Sequence, residues 1–377
     1  MALHTDCRHF NGYKPCQFRR PCDGCPHHDP IQAEILLINL DALGDVLRTT
    51  AVLKPIHRAW PGARITWLTR ARAMPLLKHH PLIDRVMPLD SASLVELSAR
   101  TFDVLLNVDK SRVAGALAVQ LNAADRRGFG IDHRGGIVPL NPAAAYLYAT
   151  GLDDDLKFRQ NTQSEPQMLC EAFGLTYEKD PYTLHQSPDA APAGPPRKVG
   201  FNTGCSPLYP YKKLPLSTQA AAIRQITAQT NEPVLLLGGP EDTQRNRSLM
   251  AELGALVEWS PTEDGLLTGA AHIARCSVVV SGDSLGMHMA IAQGKHVVVW
   301  FGVTCPQEIE VYDRGVKLLA HVSCAPCWKP TCTNTPLCFD QVSPDDITTA
   351  VMDCLRAREQ DTPIDAVRGA DWWRPPV

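Results

Sequence analysis

The sequence predicts an α/β protein with two doubly wound parallel sheets. Two regions, residues 31–186 and 198–355, each alternate short apolar runs with stretches of helical spacing, which is typical of a parallel sheet flanked by helices. A segment rich in proline and alanine, residues 187–197, lies between them and has the composition of a linker. A length of 377 residues also suits two domains. We therefore expect two Rossmann-like domains joined by a linker.

The predicted strands are short, mostly apolar runs of the kind that is buried on both faces of a parallel sheet. In the first region they cover residues 35–40, 64–68, 86–88, 104–108 and, with a weaker pattern, 127–130. In the second region they cover residues 198–202, 234–238, 278–281 and 297–301. Residues 1–30 lack hydrophobic periodicity and are expected to form a short cysteine-rich segment, and residues 356–377 are expected to form a tail.

Charge and hydropathy exclude several functions. The formal net charge is -3 and the pI is about 6.5, so the chain lacks the basic footprint of a nucleic-acid-binding protein, and we expect no nucleic-acid partner. No apolar run reaches the roughly 18 residues of a membrane span. The amino terminus lacks the apolar core of a secretion signal, and we therefore expect a cytoplasmic protein.

The first predicted strand ends in a turn that carries a carboxylate. Asp41 follows the strand, the chain turns at Gly44, and helical spacing begins at Val46, which places Asp45 at the carboxyl edge of the sheet. Open α/β sheets bind ligands at that edge. Asp45 is therefore a candidate catalytic base, and a helix N-cap is the ordinary alternative. The turn has one glycine where the dinucleotide fingerprint has three, which disfavours an NAD enzyme.

The second region has a comparable turn after the strand at 278–281. A helix begins there around Ser284 and Gly286, and backbone N–H groups at a helix start favour phosphate. Ser284 adds a hydroxyl donor, and Gly286 would let a bulky ligand come close to the backbone. His288 either points at the ligand or packs against the strand. A capped helix with a core histidine is the alternative to a phosphate site.

Two further strand-end loops of the second region carry polar groups. Thr203 lies just after the strand at 198–202, and the adjacent Lys212 and Lys213 follow in the same loop, with an ordinary solvated face as the alternative for the two lysines. The loop after the strand at 234–238 carries Glu241 and Asp242, whose carboxylates suit ribose hydroxyls, with a simple turn as the alternative. The lysine loop and the loop with Asp283 belong to the carboxyl edge of one sheet, so we expect these two loops to converge on a diphosphate.

Together, these segments resemble the family 9 glycosyltransferases, the bacterial heptosyltransferases of lipopolysaccharide core assembly. The resemblance runs from about residue 34 to residue 350. It lies in the segments DALGDVLRTT at 41–50, WPGARITWL at 60–68, NTG at 202–204, KKLP at 212–215, SGDSLGMH at 281–288 and VWFGVT at 299–304. Several motifs in the same order are much more specific than any one of them.

The resemblance implies a GT-B fold, in which two Rossmann-like domains face a central cleft, and an inverting glycosyl transfer that needs no catalytic metal. It implies that Asp45 is the general base. The donor-binding residues that it implies are Thr203, Lys212 or Lys213, Asp242 or Glu241, Asp283, Ser284, Gly286 and His288. By the same analogy, the donor is ADP-heptose and the acceptor is a lipopolysaccharide core or a related lipid-linked or oligosaccharide glycan. The implied location is the cytoplasm, with peripheral contact at the inner membrane.

Three arginines of the first region, Arg48, Arg126 and Arg127, are candidates for binding an anionic acceptor, and ordinary surface charge is the alternative. Two other functions stay open for the whole chain. One is a sugar-nucleotide epimerase of the same fold. The other is a non-catalytic sugar-nucleotide-binding protein that senses metal or redox state through its cysteines.

Eight of the 13 cysteines fall in two sets. The first set is Cys7, Cys16, Cys22 and Cys25, with His9, His27 and His28 as substitute ligands. Four thiols in a short polar segment suit a structural zinc site, and an iron–sulfur cluster or free thiols are the alternatives. The second set is Cys324, Cys327, Cys332 and Cys338, for which a structural metal or disulfide bonds are expected. Because the family's chemistry is metal-free, neither set is expected to take part in sugar transfer itself.

Overall fold

Two parallel sheets, each covered by helices, organise the chain in the computed structural model, which describes residues 2–186 and 194–369. Most of the predicted linker, residues 187–193, lies outside the described residues. The arrangement confirms the predicted α/β class with two doubly wound units.

The strands of the first sheet are β1 (Ala33–Ile38), β2 (Ala63–Thr69), β3 (Arg85–Pro88), β4 (Thr101–Asn107), β5 (Asn122–Ile131) and β6 (Ile137–Pro139). Their order in the sheet is β3-β2-β1-β4-β5-β6, and all pairs are parallel except β5 with β6. The helices around this sheet are α1 (Leu43–Thr49), α2 (Leu53–Ala59), α3 (Met74–Leu77), α4 (Ser91–Ser98), α5 (Arg112–Gln120), α6 (Ala145–Ala149) and α7 (Glu165–Ala172).

The strands of the second sheet are β7 (Arg197–Asn202), β8 (Val234–Leu237), β9 (Val257–Trp259), β10 (Cys276–Gly282), β11 (His296–Phe301), β12 (Arg314–Leu319) and β13 (Ile364–Gly369). Their order is β13-β12-β11-β10-β7-β8-β9, and every pair is parallel. The helices are α8 (Leu216–Thr230), α9 (Thr243–Leu253), α10 (Leu266–Ala274), α11 (Leu285–Ala292) and α12 (Pro344–Glu359).

Strand β1 has a continuous apolar sequence because both of its faces are buried. Ile35 and Leu37 pack on one face of the sheet against residues of α2 and α7, whereas Leu36 and Ile38 pack on the other face against residues of α4 and α5. All four side chains are fully buried. Because successive side chains of a strand point to opposite faces, a sheet covered on both faces needs an apolar residue at each position.

The structure contains four strands that the sequence pattern did not predict, namely β6, β9, β12 and β13. Strands β6 and β9 have three residues each and lie at sheet edges, where an apolar run is not required. Strand β12 carries a buried lysine, Lys317, which interrupts the apolar pattern. The predicted tail at 356–377 also differs, because α12 continues to Glu359 and β13 adds an edge strand with alternating exposure. Residues 370–377 lie outside the described part.

Residues 175–186 pack against both sheets. Thr183 N donates a hydrogen bond to Thr50 Oγ1 at 2.9 Å, just after α1, and Leu184 N donates to Ala292 O at 3.2 Å, at the end of α11. Tyr182 between them is buried. Side chains of α1 and α11 share one apolar cluster, so the helices that follow β1 and β10 are packed against each other. This contact brings the carboxyl ends of the two sheets together.

His80 links α3 to the same connecting segment. Its Nε2 lies 2.9 Å from Thr183 Oγ1, and its Nδ1 accepts a hydrogen bond from Leu82 N at 3.2 Å. The side chain is buried, and burial, with smaller effects of His185 and His57, lowers the pKa of His80 to about 4. An imidazole that accepts at Nδ1 is neutral, so the geometry and the pKa agree.

We expect acid to destabilise the fold through His80. Between the unfolded pKa of about 6.5 and the folded pKa of about 4, the unfolded chain binds the proton and the folded chain does not, so stability is lost as pH falls through this window. The contribution of His80 to the free energy of unfolding that is lost in this pH window is on the order of 2 kcal/mol. Urea midpoints at about pH 7.5 and about pH 5 should differ less for His80→Gln than for wild type. The neighbouring His79→Gln is the control, and an equal pH dependence in all three proteins would contradict the assignment.

Candidate active site

The two halves approach each other closely at Gly44 and His288. A Cβ atom built on Gly44 would lie 2.8 Å from Cδ2 of His288, so only a residue without a side chain fits there. His288 is buried in α11, and its Nδ1 lies 3.2 Å from the hydroxyl of Tyr182. Asp45 follows Gly44 directly, so the candidate base of the first domain lies beside the helix that follows β10.

Asp45 belongs to the first turn of its helix and keeps an exposed carboxylate. Its Oδ2 accepts a hydrogen bond from Ala42 N at 3.2 Å, and its Oδ1 accepts from Arg48 at 2.7 Å. The side chain is nonetheless 46% exposed. The N-cap of α1 is Ala42 and Asp45 is its third residue, so Asp45 is not the N-cap that the sequence offered as the alternative. Its hydrogen bond from Ala42 N still leaves the carboxylate accessible to a reactant.

Arg48 connects two carboxylates of different elements. The same nitrogen, Nη2, lies 2.7 Å from Asp45 Oδ1 and 2.5 Å from Oε2 of Glu165, the first residue of α7. The guanidinium is 11% exposed. Burial alone would lower the pKa of Arg48, but the charges of Glu165 and Asp45 raise it above its usual value. Arg48 is therefore already paired, and in this arrangement it orients Asp45.

Glu165 was not found by sequence reasoning. Burial raises the pKa of Glu165 to about 7, although the charge of Arg48 opposes this shift. Its segment has the appearance of an ordinary helix start, since Ser164 caps the helix and a proline follows. No local signal in the sequence distinguishes it from other helix starts, because its partner lies in a distant part of the chain.

The other two candidate acceptor arginines contact their own domain. Arg126 donates to three backbone carbonyls, those of Ala118, Leu121 and Ala123. Arg127 donates to Asp125 and to Phe173 O, and it lies over the ring of Trp60. The structure does not place either guanidinium with Asp45, and both hold together elements of the first domain.

Lys212 and Asp283 form a nearly buried ion pair beside His288. Lys212 Nζ lies 2.9 Å from Asp283 Oδ2, and the two side chains are 15% and 12% exposed. Burial alone would raise the pKa of Asp283, but the charges of Lys212 and His288 and hydrogen bonds lower it to about 2. Burial, followed by the charge of Arg48, lowers the pKa of His288 to about 4, so this imidazole is neutral at neutral pH. Trp300 Nε1 donates to Lys212 O at 2.8 Å and holds the lysine loop.

The start of α11 is organised by an asparagine. Asn202 Nδ2 lies 2.9 Å from both Ser281 Oγ and Ser284 Oγ. A Cβ atom on Gly286 would lie 2.8 Å from Asn202 Cγ. The glycine is therefore required by the packing of Asn202, whereas the sequence suggested close approach of a ligand. The Ser284 side chain makes no capping bond to its own helix, and its hydroxyl belongs to this polar group.

Lys213 and Asp242 form a second pair. They are 3.2 Å apart, and Asp242 is almost completely buried and also accepts from Gly239 N at 3.1 Å. Thr203 is fully buried, and its hydroxyl donates to Asn246 Oδ1 at 2.5 Å. Burial raises the pKa of Asp242 despite these donors. Glu241, in contrast, is exposed, so it is the carboxylate of this loop that a ligand can reach.

The cysteine sets are located at separate places in the fold. All thirteen cysteines are free thiols, so the structure does not support disulfide bonds in the second set. The thiols of that set line one cavity of about 140 Å³. In the part of the chain that the structure describes, three side chains place potential metal-binding atoms within 4.8 Å of one another. They are His4, Asp6 and His28. The structure thus gathers two histidines and an acid in the first segment, of which the sequence indicated His28.

Comparison with known proteins shows similarity over most of the chain. The family model described as Glycosyltransferase family 9 (heptosyltransferase) matches residues 93–338. A curated relative from Haemophilus influenzae, Lipopolysaccharide core heptosyltransferase OpsX, is 24% identical over 299 residues, which are 74% of this chain and 82% of that protein.

Solved structures confirm the fold. The glycosyl transferase family 9 protein of Veillonella parvula has a TM-score of 0.67 at 18% identity, over 86% of this chain and 97% of that chain. The ADP-heptose lps heptosyltransferase II of E. coli has a TM-score of 0.62 at 18% identity, over 86% of this chain and 99% of that chain. Their similarity confirms the predicted GT-B arrangement of two Rossmann-like domains.

Proposed function

We propose that this chain, which belongs to glycosyltransferase family 9, transfers heptose from ADP-heptose to a lipopolysaccharide core or related glycan. We further propose that the transfer inverts the configuration at the sugar and uses no catalytic metal. The enzyme class, a glycosyltransferase of the heptosyltransferase family, follows from the family itself. The observation that carries the finer proposal is the exposed carboxylate of Asp45 beside His288 and the Lys212–Asp283 pair.

Asp45 is proposed to act as the general base. Its carboxylate takes the proton of the acceptor hydroxyl while that oxygen attacks the anomeric carbon, and the diphosphate leaves from the opposite face. Arg48 and Ala42 N hold the carboxylate in one orientation. Glu165 is a second carboxylate in contact with the same guanidinium, so Asp45 shares Arg48 with another acid.

The donor diphosphate is proposed to bind at the start of α11. Lys212 has three N–H donors, and the described contact with Asp283 uses one of them. Its charge and the helix N-terminus stabilise the negative charge that develops on the leaving diphosphate. Between the two acids of the neighbouring loop, exposed Glu241 is better placed than buried Asp242 to accept hydrogen bonds from a ribose.

We also propose the domain boundaries, the location of the acceptor and the role of the first cysteine set. We propose a first domain of residues 31–186 and a second domain that begins at residue 198 and extends beyond the predicted limit of 355, because it includes all of α12 and the edge strand β13, which pairs with β12. None of the helices in residues 2–186 and 194–369 has the length and apolar character needed to cross a membrane. We propose that a lipid-linked acceptor is reached at the cytoplasmic face of the inner membrane. For the first cysteine set, a structural zinc site remains our proposal.

A binding screen of nucleotide sugars tests the proposal. Calorimetric titration of the full chain with ADP-, GDP- and UDP-sugars should give the tightest binding for the ADP-sugar, by roughly tenfold or more, which corresponds to about 1.4 kcal/mol. Addition of a lipopolysaccharide core acceptor should then release ADP. Tighter binding of GDP- or UDP-sugars would contradict the donor assignment. Conversion of the donor without an acceptor would indicate an epimerase instead.

A further inference from the structure

A turn of the first domain reaches across to the second domain beside the candidate donor site. Residues Leu156–Gln160 form a single π-helical turn, and such turns are rare and often lie at functional sites. Lys157 O accepts a hydrogen bond from Gln307 Nε2 at 3.0 Å, and Lys157 Nζ lies 3.4 Å from Glu308 Oε1. The backbone and the side chain of this one lysine therefore both contact the second domain.

The residues that Lys157 contacts follow a strand next to the proposed diphosphate site. Gln307 and Glu308 lie in the loop after β11. Strand β11 pairs in parallel with β10, which leads into Asp283 and the start of α11. Because neighbouring parallel strands end at the same edge of a sheet, Lys157 is brought to the edge at which we propose that the diphosphate binds.

One aromatic ring relates Lys157 to Lys212. The ring centre of Trp328 is 4.4 Å from Lys157 Nζ and 5.5 Å from Lys212 Nζ, so a cation of each domain contacts the same ring. Trp328 Nε1 donates to Cys305 Sγ at 3.3 Å, and the φ of Trp328 is 50°, which is unfavourable for a bulky residue. A strained residue that its surroundings hold in place is typical of a functional position.

Each of the two lysines is paired with a carboxylate, but the pairs differ. Lys212 Nζ lies 2.9 Å from Asp283 Oδ2 of its own domain. Lys157 Nζ lies 3.4 Å from Glu308 of the other domain, and its side chain is 24% exposed whereas that of Glu308 is 8% exposed. An ammonium has three N–H donors, and the described contacts of Lys157 Nζ are one carboxylate and one aromatic face. The lysine is therefore the member of this pair that can bind a further oxygen.

We propose that Lys157 is a second cation for the donor diphosphate, contributed by the first domain. The inference rests on the proposed function, because it takes the ligand to be a nucleoside diphosphate sugar. The transferred sugar must face Asp45 of the first domain, and the β-phosphate is bonded to that sugar. A cation of the first domain therefore binds the β-phosphate, whose negative charge increases as the sugar leaves. Donor binding then depends on both domains at once.

Binding of ADP and of AMP to the full chain tests the proposal, because AMP lacks the β-phosphate. Calorimetric titration of Lys157→Met should give a Kd for ADP about tenfold higher than that of wild type. The Kd for AMP should stay within about twofold of the wild-type value. Lys157→Arg keeps the charge and should recover most of the ADP affinity.

Glu308→Gln separates ligand binding from a purely structural ion pair. It removes a buried negative charge and leaves Lys157 without its carboxylate, so the Kd for ADP should fall by about threefold. If Lys157 only ties the two domains together, Lys157→Met and Glu308→Gln break the same contact and weaken ADP binding alike. That result would overturn the proposal. The Glu308→Gln and Lys157→Arg proteins keep the test decisive if Lys157→Met does not fold.

Lys179→Met is the matched control. Lys179 Nζ lies 2.9 Å from Asp313 Oδ1, so this variant also removes a lysine that is paired with the second domain, and it should leave ADP binding unchanged. An equal loss of ADP affinity in Lys179→Met and Lys157→Met would overturn the inference. ADP binding by Lys157→Met at the wild-type Kd would overturn it as well, with the proposed function intact. Wild type that binds no nucleoside diphosphate would overturn the proposed function and the inference with it.

Discussion

Replacing Asp45 with asparagine is expected to reduce sugar transfer by about a hundred- to ten-thousandfold. The Asp45 carboxylate accepts from Ala42 N through Oδ2 and from Arg48 through Oδ1, so the single oxygen of asparagine keeps one of these two hydrogen bonds and the size of the side chain. The asparagine side chain does not accept a proton, and therefore the base function is lost. Single-turnover transfer rates and the Kd for the donor, measured on the same protein, check this expectation, with the Kd staying within about threefold of wild type.

Asp41→Asn is the matched control for this variant. Asp41 belongs to the same turn, but its carboxylate is paired with Arg70 and Arg72. We expect a much smaller loss of transfer rate for this change. Transfer at the wild-type rate by the Asp45→Asn protein would remove Asp45 from the mechanism. An equal loss in both variants would instead indicate that the turn as a whole is disturbed.

Replacing Lys212 with methionine is expected to lower kcat by about a hundred- to thousandfold, because the developing charge on the diphosphate then lacks the cation that we propose stabilises it. Methionine keeps an unbranched apolar side chain but removes the ammonium group, which lies 5.5 Å from the ring centre of Trp328. Steady-state kcat and donor KM at saturating acceptor measure the effect. The thermal midpoint of the same protein reports the cost of leaving Asp283 without its partner.

Lys213→Met distinguishes the two adjacent lysines. Its partner Asp242 is buried and lies in another loop, so this variant should lose stability and keep most of its kcat. Both variants remove one charge from the same loop and leave one carboxylate without its lysine, which makes them a matched pair. The sequence did not distinguish which of the two lysines binds the diphosphate. A larger loss of kcat in Lys213→Met than in Lys212→Met would assign this role to Lys213 instead of Lys212.

Local sequence patterns predicted those site residues that lie in loops directly after a strand. The turn with Asp45 and the helix start with Ser284 each follow an apolar strand, and the carboxyl ends of parallel strands lie at one edge of a sheet. The sequence therefore predicted the two doubly wound sheets and the loops that face each other. It also predicted the lysine loop, whose two members are now distinguished by their separate partners.

Pairings between distant parts of the chain could not be predicted. The contact of Arg48 with Glu165 and that of Tyr182 with His288 join residues that share no local pattern. For the same reason, Arg48 was expected to bind an acceptor, although its charge is already balanced within the protein. Strand β12 was missed because Lys317 interrupts its apolar run, and strand β13 was missed because an edge strand tolerates alternate polar residues.

The contact between Gly44 and His288 has a consequence for the mechanics of the enzyme. Any side chain at position 44 would press on an imidazole that Tyr182 holds from behind and that lies 3.8 Å from Asp283. The displacement would pass to Lys212 through its ion pair. The missing side chain thus sets the distance between the first domain, which carries the proposed base Asp45, and the part of the second domain that we propose binds the diphosphate.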